Sequence, residues 1–258
     1  MSNFADAIEI SFDRHTVNGA LRSSGNNLNS QYIGLPRGSF SEHGQDPDNH
    51  DFIQQIEMGS FAGHRIHGLR PFVHTLHAID HEVAEHFPEL HKNMGHLGGL
   101  CCRLVNGSVS CISSHSWGIA IDVTFDGQAD CYDHNVIQRG LYQIAPIFHK
   151  YKLYWGIAFR KQDAMHFEAS AQLIEEWAAQ GKIHGPINQV SRALQFGDRG
   201  PEVETVQKAL NVLLQPSYLK VDGVFGRDTR AAVMAAHVRL GMLASGRASR
   251  NFIRKLKS

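Results

Sequence analysis

No stretch of this 258-residue sequence approaches the roughly 18 to 20 consecutive apolar residues of a membrane-spanning helix. The start, MSNFADAIEISFDRH, lacks a basic-then-apolar signal region, so the chain is expected to be made as a soluble cytoplasmic protein. Cysteine is scarce. Cys101, Cys102, Cys111 and Cys131 are too few and too clustered for a disulfide scaffold, and they lack the paired C-x-x-C spacing of structural zinc. Charge is low too, at 19%, with Lys+Arg 25 against Asp+Glu 25, while 42% of residues are hydrophobic. That composition excludes disorder as the main state and provides enough core for one large domain or two modest ones.

The overall balance conceals an asymmetry. Residues 1–185 hold 13 Lys+Arg and 20 Asp+Glu, against 12 and 5 in residues 186–258. An acidic body with a basic C-terminal piece implies two units with different partners, the basic one suited to a polyanion such as nucleic acid, a lipid headgroup layer or a bacterial wall. Histidine, at 17 residues, is the other excess.

Residues 22–51, rich in Ser, Asn, Gly, Asp and Pro, carry no sustained period and read as a long surface loop or a segment packed on the body. A helix is expected from Pro71, with Phe72, Leu76, Ile79, Val83 and Phe87 on one stripe, ending near Pro88. Ile137, Leu141, Ile144 and Phe148 predict a helix over 134–151 that Pro146 kinks or divides. Another helix runs from a Ser170 cap to Gly181. Between the first two, LCCRLVNGSVSCI predicts a hairpin about Asn106-Gly107 with both turn residues at positive φ. That register pairs Cys102 with Cys111, either as a disulfide or as two core thiols. After Gly185-Pro186, Asp198 and Pro201 start a helix with Val203, Val206, Leu210 and Leu213 inward. A second follows VDGVFGRDT and stops at Gly241, and a third holds Phe252, Ile253 and Leu256. The expectation is a three-helix bundle, with the boundary at 183–192.

SSHSWGIAIDVTFDG at 113–127 and YWGIAFRKQDAMHFE at 154–168 bring His115, Asp122, Asp163 and His166 within reach if the two segments pair. Two histidines plus a carboxylate make a three-ligand catalytic zinc set with one open position, and a fourth carboxylate remains as base. Both gaps, seven residues and three, are odd, so each pair needs a bend to face one side, and Trp117-Gly118 can supply the first. The bland alternative is a set of buried polar residues satisfied locally.

S-x-H-x-x-G-x-A-x-D followed by W-G…D-x-M-H-F-E resembles the zinc peptidases of the M15 family, D-alanyl-D-alanine dipeptidases and carboxypeptidases and phage L-alanyl-D-glutamate endopeptidases among them, over roughly residues 66–178. The resemblance implies Zn2+ on His115, Asp122 and His166, with Asp163 as general base and acid. By the same resemblance Arg103 is the substrate-polarising arginine and Glu168 orients a ligand imidazole. Ser114 is expected along the cleft, and Trp117 and Trp155 as core or cleft wall. Asp rather than Glu as base is closer to the L-alanyl-D-glutamate endopeptidases than to the D-Ala-D-Ala enzymes. LQFGDRGPEVETVQKALNVLL…YLKVDGVFGRDTRAAV resembles a three-helix peptidoglycan-binding domain, with Ala236-His237 and Ser245-Gly246 departing from its usual Phe-Gln and Asp-Gly.

The expectation is therefore an α+β body, a small antiparallel sheet with flanking helices, plus a small all-α domain. Residues 1–60 form an extension of the body, 61–185 the zinc peptidase domain and 186–258 the peptidoglycan-binding domain. A lytic wall enzyme without a signal peptide suits a phage endolysin released through a holin, with a secreted effector or an autolysin as alternatives. The different-class alternative is a non-catalytic wall-binding protein. A monomer is expected, with bacterial peptidoglycan as partner and no nucleic acid, since no aromatic-interleaved basic motif is present. His81-Glu82…Glu85-His86 has its histidines five apart, about 140° off one helix face, and is not H-E-x-x-H. His74, His77 and His81 share the solvent side of their helix. Arg247, Arg250, Arg254, Lys255 and Lys257 form a solvated face, or contact an anionic wall or membrane surface.

Overall fold

The computed structural model describes residues 3–130, 135–185, 193–215 and 219–256. Contacts divide the chain into two compact units, Met1–Ile183 and His184–Ser258. The first contains strands β1 (Ala7–Glu9), β2 (Ile56–Phe61), β3 (His64–Leu69), β4 (Met94–His96), β5 (Ala120–Phe125), β6 (Val136–Gln138), β7 (Leu153–Trp155) and β8 (His166–Ala169). Its helices are α1 (Gly25–Tyr32), α2 (His50–Ile53), α3 (Arg70–His86), α4 (Pro88–His91), α5 (Arg139–Lys150) and α6 (Ala171–Ala179).

The central sheet is antiparallel, in the order β4-β5-β8-β7. Its two faces are chemically distinct because side chains alternate. Ile121, Phe167 and Trp155 stand in register across three strands and are fully buried. Trp155 stacks on Phe167 with centroids 5.7 Å apart, and Phe148 of α5 meets the same ring at 4.2 Å. The opposite face carries Ala120, Asp122, His166 and Glu168, with Asp122 directly across from His166. In α3, Phe72, Leu76, Ile79 and Val83 are buried, while Phe87 falls past the helix end and is exposed. His74, His77 and His81 face solvent.

Several local expectations are corrected. Residues 22–51 are a segment packed on the body that buries Tyr32 and Ile33, but they are not without helix: they hold α1 and the first residues of α2, and the packing of α1 on α6 outweighs a composition that favours turns. Ile137 lies on β6 opposite Ile8, so the helix starts only at Arg139 and runs through Pro146 undivided. The Asn106-Gly107 turn forms, closed by a Ser108 N–H to the Val105 carbonyl at 2.9 Å, but only Gly107 has positive φ. Such a turn splays its arms. Ser108 Oγ then accepts from the N–H groups of Ser110 and Cys111 at 3.3 and 2.8 Å. The register shifts accordingly to Leu104 opposite Ile112. Cys102 is buried and bridges Gln45, whereas Cys111 is exposed; both are free thiols and do not pair. Cys131 lies outside the described residues.

The second unit holds α7 (Pro201–Leu213), α8 (Arg227–Arg239) and α9 (Arg250–Lys255). Val203, Val206, Leu210, Phe225, Val233 and Phe252 form its core. Buried Gln207 is the polar hub: its Nε2 donates to Asp222 Oδ1, Val224 O and Thr229 Oγ1, and its Oε1 accepts from the N–H groups of Asp222 and Gly223. These bonds tie the Val-Gln of the helix to the Val-Asp-Gly of the loop. His237 is buried against Phe252, rings 4.0 Å apart, and its Nδ1 donates to the Val233 carbonyl. Arg247 and Lys255 are exposed; Arg250, Arg254 and Lys257 lie outside the residues whose side chains are described.

Gly118 couples the hairpin to the sheet. It sits at φ +62, its carbonyl accepts from Leu69 N–H at 2.8 Å, and an added Cβ would meet Leu69 N at 2.8 Å. Gly118→Ala is expected to destabilise the protein by about 2–4 kcal/mol, combining left-handed strain with overpacking. Denaturant unfolding measures it, and a change under about 0.5 kcal/mol contradicts the account.

Candidate active site

A single 3-10 turn, Ser114–Trp117, ends at left-handed Gly118 and turns His115 back over β5, where Asp122 follows. A second turn, closed by His166 N–H to the Asp163 carbonyl at 3.3 Å, brings Asp163 to the same side as His166. Both odd spacings are thus resolved by bends. The four side chains share one cleft of about 420 Å³, with Arg103 and Ser114 also in its wall.

The imidazole tautomers follow from their outer partners. His115 Nδ1 lies 2.8 Å from the Gly99 carbonyl, which can only accept, so the ring donates there and presents Nε2 inward. His166 Nε2 lies 3.2 Å from Glu168 Oε2, leaving Nδ1 to face inward. The two inward nitrogens are 3.3 Å apart and stand 3.2 and 3.1 Å from Asp122 Oδ1. Three lone-pair atoms therefore converge in buried surroundings, an arrangement that needs positive charge at its centre. Where no metal ion fills that centre a proton can: burial works against ionisation, yet the Asp122 and Glu168 carboxylates raise the His166 pKa to about 10, so its inward lone pair is free only when a cation replaces that proton. Burial likewise opposes the Asp122 charge, but the two imidazoles hold its carboxyl far below the usual range.

His115, Asp122 and His166 can hold a metal ion: one ligand atom of each lies within 4.8 Å of the others. The edge of a tetrahedron around an ion with 2.0–2.1 Å bonds is about 3.3 Å, close to the three separations found here.

Asp163 is set apart from this trio. Its Oδ1 is buried without a hydrogen-bond partner among the described residues. Burial first and the nearby Asp122 charge second among the raising influences push its carboxyl up, against the opposing pull of His166, His115 and Arg103. Arg103 donates through Nη1 to the Leu104 carbonyl at 3.2 Å and lines the cleft.

Trp117 and Trp155 do not line it. Trp155 is on the core face of the sheet, its indole donating to the Ala164 carbonyl at 2.6 Å, and buried Trp117 donates to the Gly34 carbonyl at 2.8 Å. The cleft wall instead takes Ser23, Asn26 and Asn29 from the N-terminal segment, with Phe159 and Arg160 from the loop before Asp163. Phe159 and Arg160 lie inside the conspicuous 154–168 run, whereas nothing local marks Ser23.

Residues 106–169 match a family model described as D-alanyl-D-alanine carboxypeptidase, of the M15 peptidases, and residues 199–256 match a peptidoglycan binding domain. The M15 match includes His115, Asp122, Asp163, His166 and Glu168, and stops short of Arg103 and Ser23. Neither a curated protein nor a solved structure matches the chain. Together the two matches support a peptidase that acts on peptidoglycan.

Divalent metal added to chelator-stripped protein is expected to bind at one ion per chain. His115→Ala should abolish that binding, and Glu168→Gln should weaken it by about 10–100-fold through the His166 ring. Isothermal titration decides the point; unchanged affinity in His115→Ala removes this cluster as the metal site.

Proposed function

We propose that the protein is a zinc-dependent peptidase that cuts the L-alanyl-D-glutamate bond of the peptidoglycan stem, as an endolysin-like lytic enzyme. The observation that carries this reading is a buried carboxylate oxygen, Asp163 Oδ1, unpaired among the described residues and in the same cleft as the His115, Asp122 and His166 trio. Zinc, when bound, supplies positive charge that polarises a scissile carbonyl and acidifies water.

The protein's own groups do the proton work. Asp163 takes a proton from the attacking water as its oxygen bonds to the carbonyl carbon. It then returns that proton to the amine nitrogen as the C–N bond breaks. Raised by burial, its carboxyl is a better proton store than a solvated aspartate. The Arg103 guanidinium, in the cleft wall, offsets negative charge that develops on the carbonyl oxygen. With a cation in place of the inward His166 proton, His115 and His166 would present aprotic inward nitrogens while donating outward to the Gly99 carbonyl and to Glu168.

The endopeptidase choice follows from the resemblance of Asp163 to the aspartate base of that group. The family description favours a second reading, removal of terminal D-alanine. In either case the peptidoglycan-binding domain raises the local concentration of stem peptides at the cleft. We infer release by a holin-type route and action as a monomer on the wall.

Digestion of purified peptidoglycan with mass spectrometry of the new termini tests this. L-alanine at a new carboxyl end with a new D-glutamate amine is expected, and its loss with chelator. Released D-alanine would instead establish the carboxypeptidase. Asp163→Ala should retain metal while activity falls by about 10²–10⁴-fold. If metal-loaded protein binds the wall and releases neither product, a non-catalytic wall binder replaces the enzyme.

A further inference from the structure

Ser23 lies 145 residues from Glu168 in sequence and outside the family match, yet its hydroxyl donates to Glu168 Oε1 at 2.6 Å. We propose that Ser23 is a positioning residue that acts through Glu168 to fix the His166 imidazole facing the metal. This rests on the reading of His115, Asp122 and His166 as ligands.

Glu168 is 4% exposed, and a buried carboxylate with one oxygen unengaged is both costly and free to turn about its terminal bond. With Oε1 held by Ser23, Oε2 stays 3.2 Å from His166 Nε2. The ring is then held with Nε2 turned to Glu168 and Nδ1 presented inward, 3.1 Å from Asp122 Oδ1. Ser114 Oγ also lies 3.2 Å from Nε2 and hydrogen-bonds the Glu168 carboxylate, so Ser23 is one of two hydroxyls that hold Glu168. A loosened Glu168 leaves the ring that neutral acceptor in place of a charged one.

The Ser23 hydroxyl is delivered by fixed backbone. Ser23 and Ser170 form an antiparallel bridge at the end of β8. Ala171 N–H donates to the Arg22 carbonyl at 2.8 Å, and Gln172 Nε2 to the Ala20 carbonyl at 2.6 Å. The Arg22 N–H in turn donates to Gln172 Oε1 at 3.1 Å. Residues 20–23 are thus stitched across the start of α6, so holding the hydroxyl in place costs little further entropy.

The test uses the full chain, with Zn2+ affinity from competition with a chromophoric chelator and the visible spectrum of the Co2+-loaded protein. Ser23→Ala is expected to weaken Zn2+ binding about tenfold and to shift the cobalt bands, while unfolding of the metal-stripped protein stays within about 2 °C of wild type. Ser23→Thr, which keeps the hydroxyl, should restore both readouts. Wild-type affinity and spectrum in Ser23→Ala overturn the positioning role alone. A large loss of stability without rescue by Thr also overturns it, as the mark of a structural residue. Failure of the unaltered chain to bind either metal overturns the ligand reading and this inference together.

Discussion

The antiparallel pairing of β5 with β8 governs the site, because it sets Asp122 opposite His166 on one face and Ile121 opposite Phe167 on the other. A slip of one residue would turn the polar pair into the core and the apolar pair out. The register is therefore held by the burial of Ile121, Phe167 and Trp155, and the site inherits its geometry from that apolar face. The two faces also have opposite energetics. Packing stabilises one, while the other gathers two imidazoles and a carboxylate whose inward atoms repel unless a cation joins them. A metal that binds only the folded arrangement stabilises it in turn.

The reach of the sequence can be judged residue by residue. His115, Asp122, Asp163 and His166 stand in two short runs, and their odd spacings already require the bends that Gly118 and the Asp163–His166 turn provide. The stripes of α3 and α7 were readable for the same reason: periodicity records burial directly. The 102–111 segment was not, since Ser108 Oγ takes the N–H groups of Ser110 and Cys111 that a hairpin ladder would use. For the tryptophans, core and cleft wall were both open from sequence: Trp155 faces the core with its register partner Phe167, and Trp117, in the 3-10 turn, is buried with its indole on the Gly34 carbonyl. Helix α1 has no side-chain cap and a polar sequence, and it is held by its contact with α6, a relation between residues far apart in the chain.

That last point bears on what a family motif contains. The matched stretch, 106–169, holds the converging ligand atoms, but two of the groups that settle their state lie before it: Gly99, whose carbonyl fixes His115, and Ser23, which engages Glu168. Residues that supply ligands are constrained in type, because only imidazole and carboxylate offer the right lone pairs. Residues that orient them need only a donor or acceptor at the right place, and a backbone carbonyl or any hydroxyl will serve. The matched stretch therefore holds the three converging side chains and Glu168, while Gly99 and Ser23, which complete their hydrogen bonding, lie outside it.

The two units divide the work along a similar line. A cleft of about 420 Å³ touches only a few residues of a polymeric substrate, so binding energy won there is best expressed in the transition state. Ground-state affinity for the wall can come from the second unit, whose core is closed around its own Gln207 hub and Phe252. Because each unit has a separate core, recognition and chemistry can be changed independently.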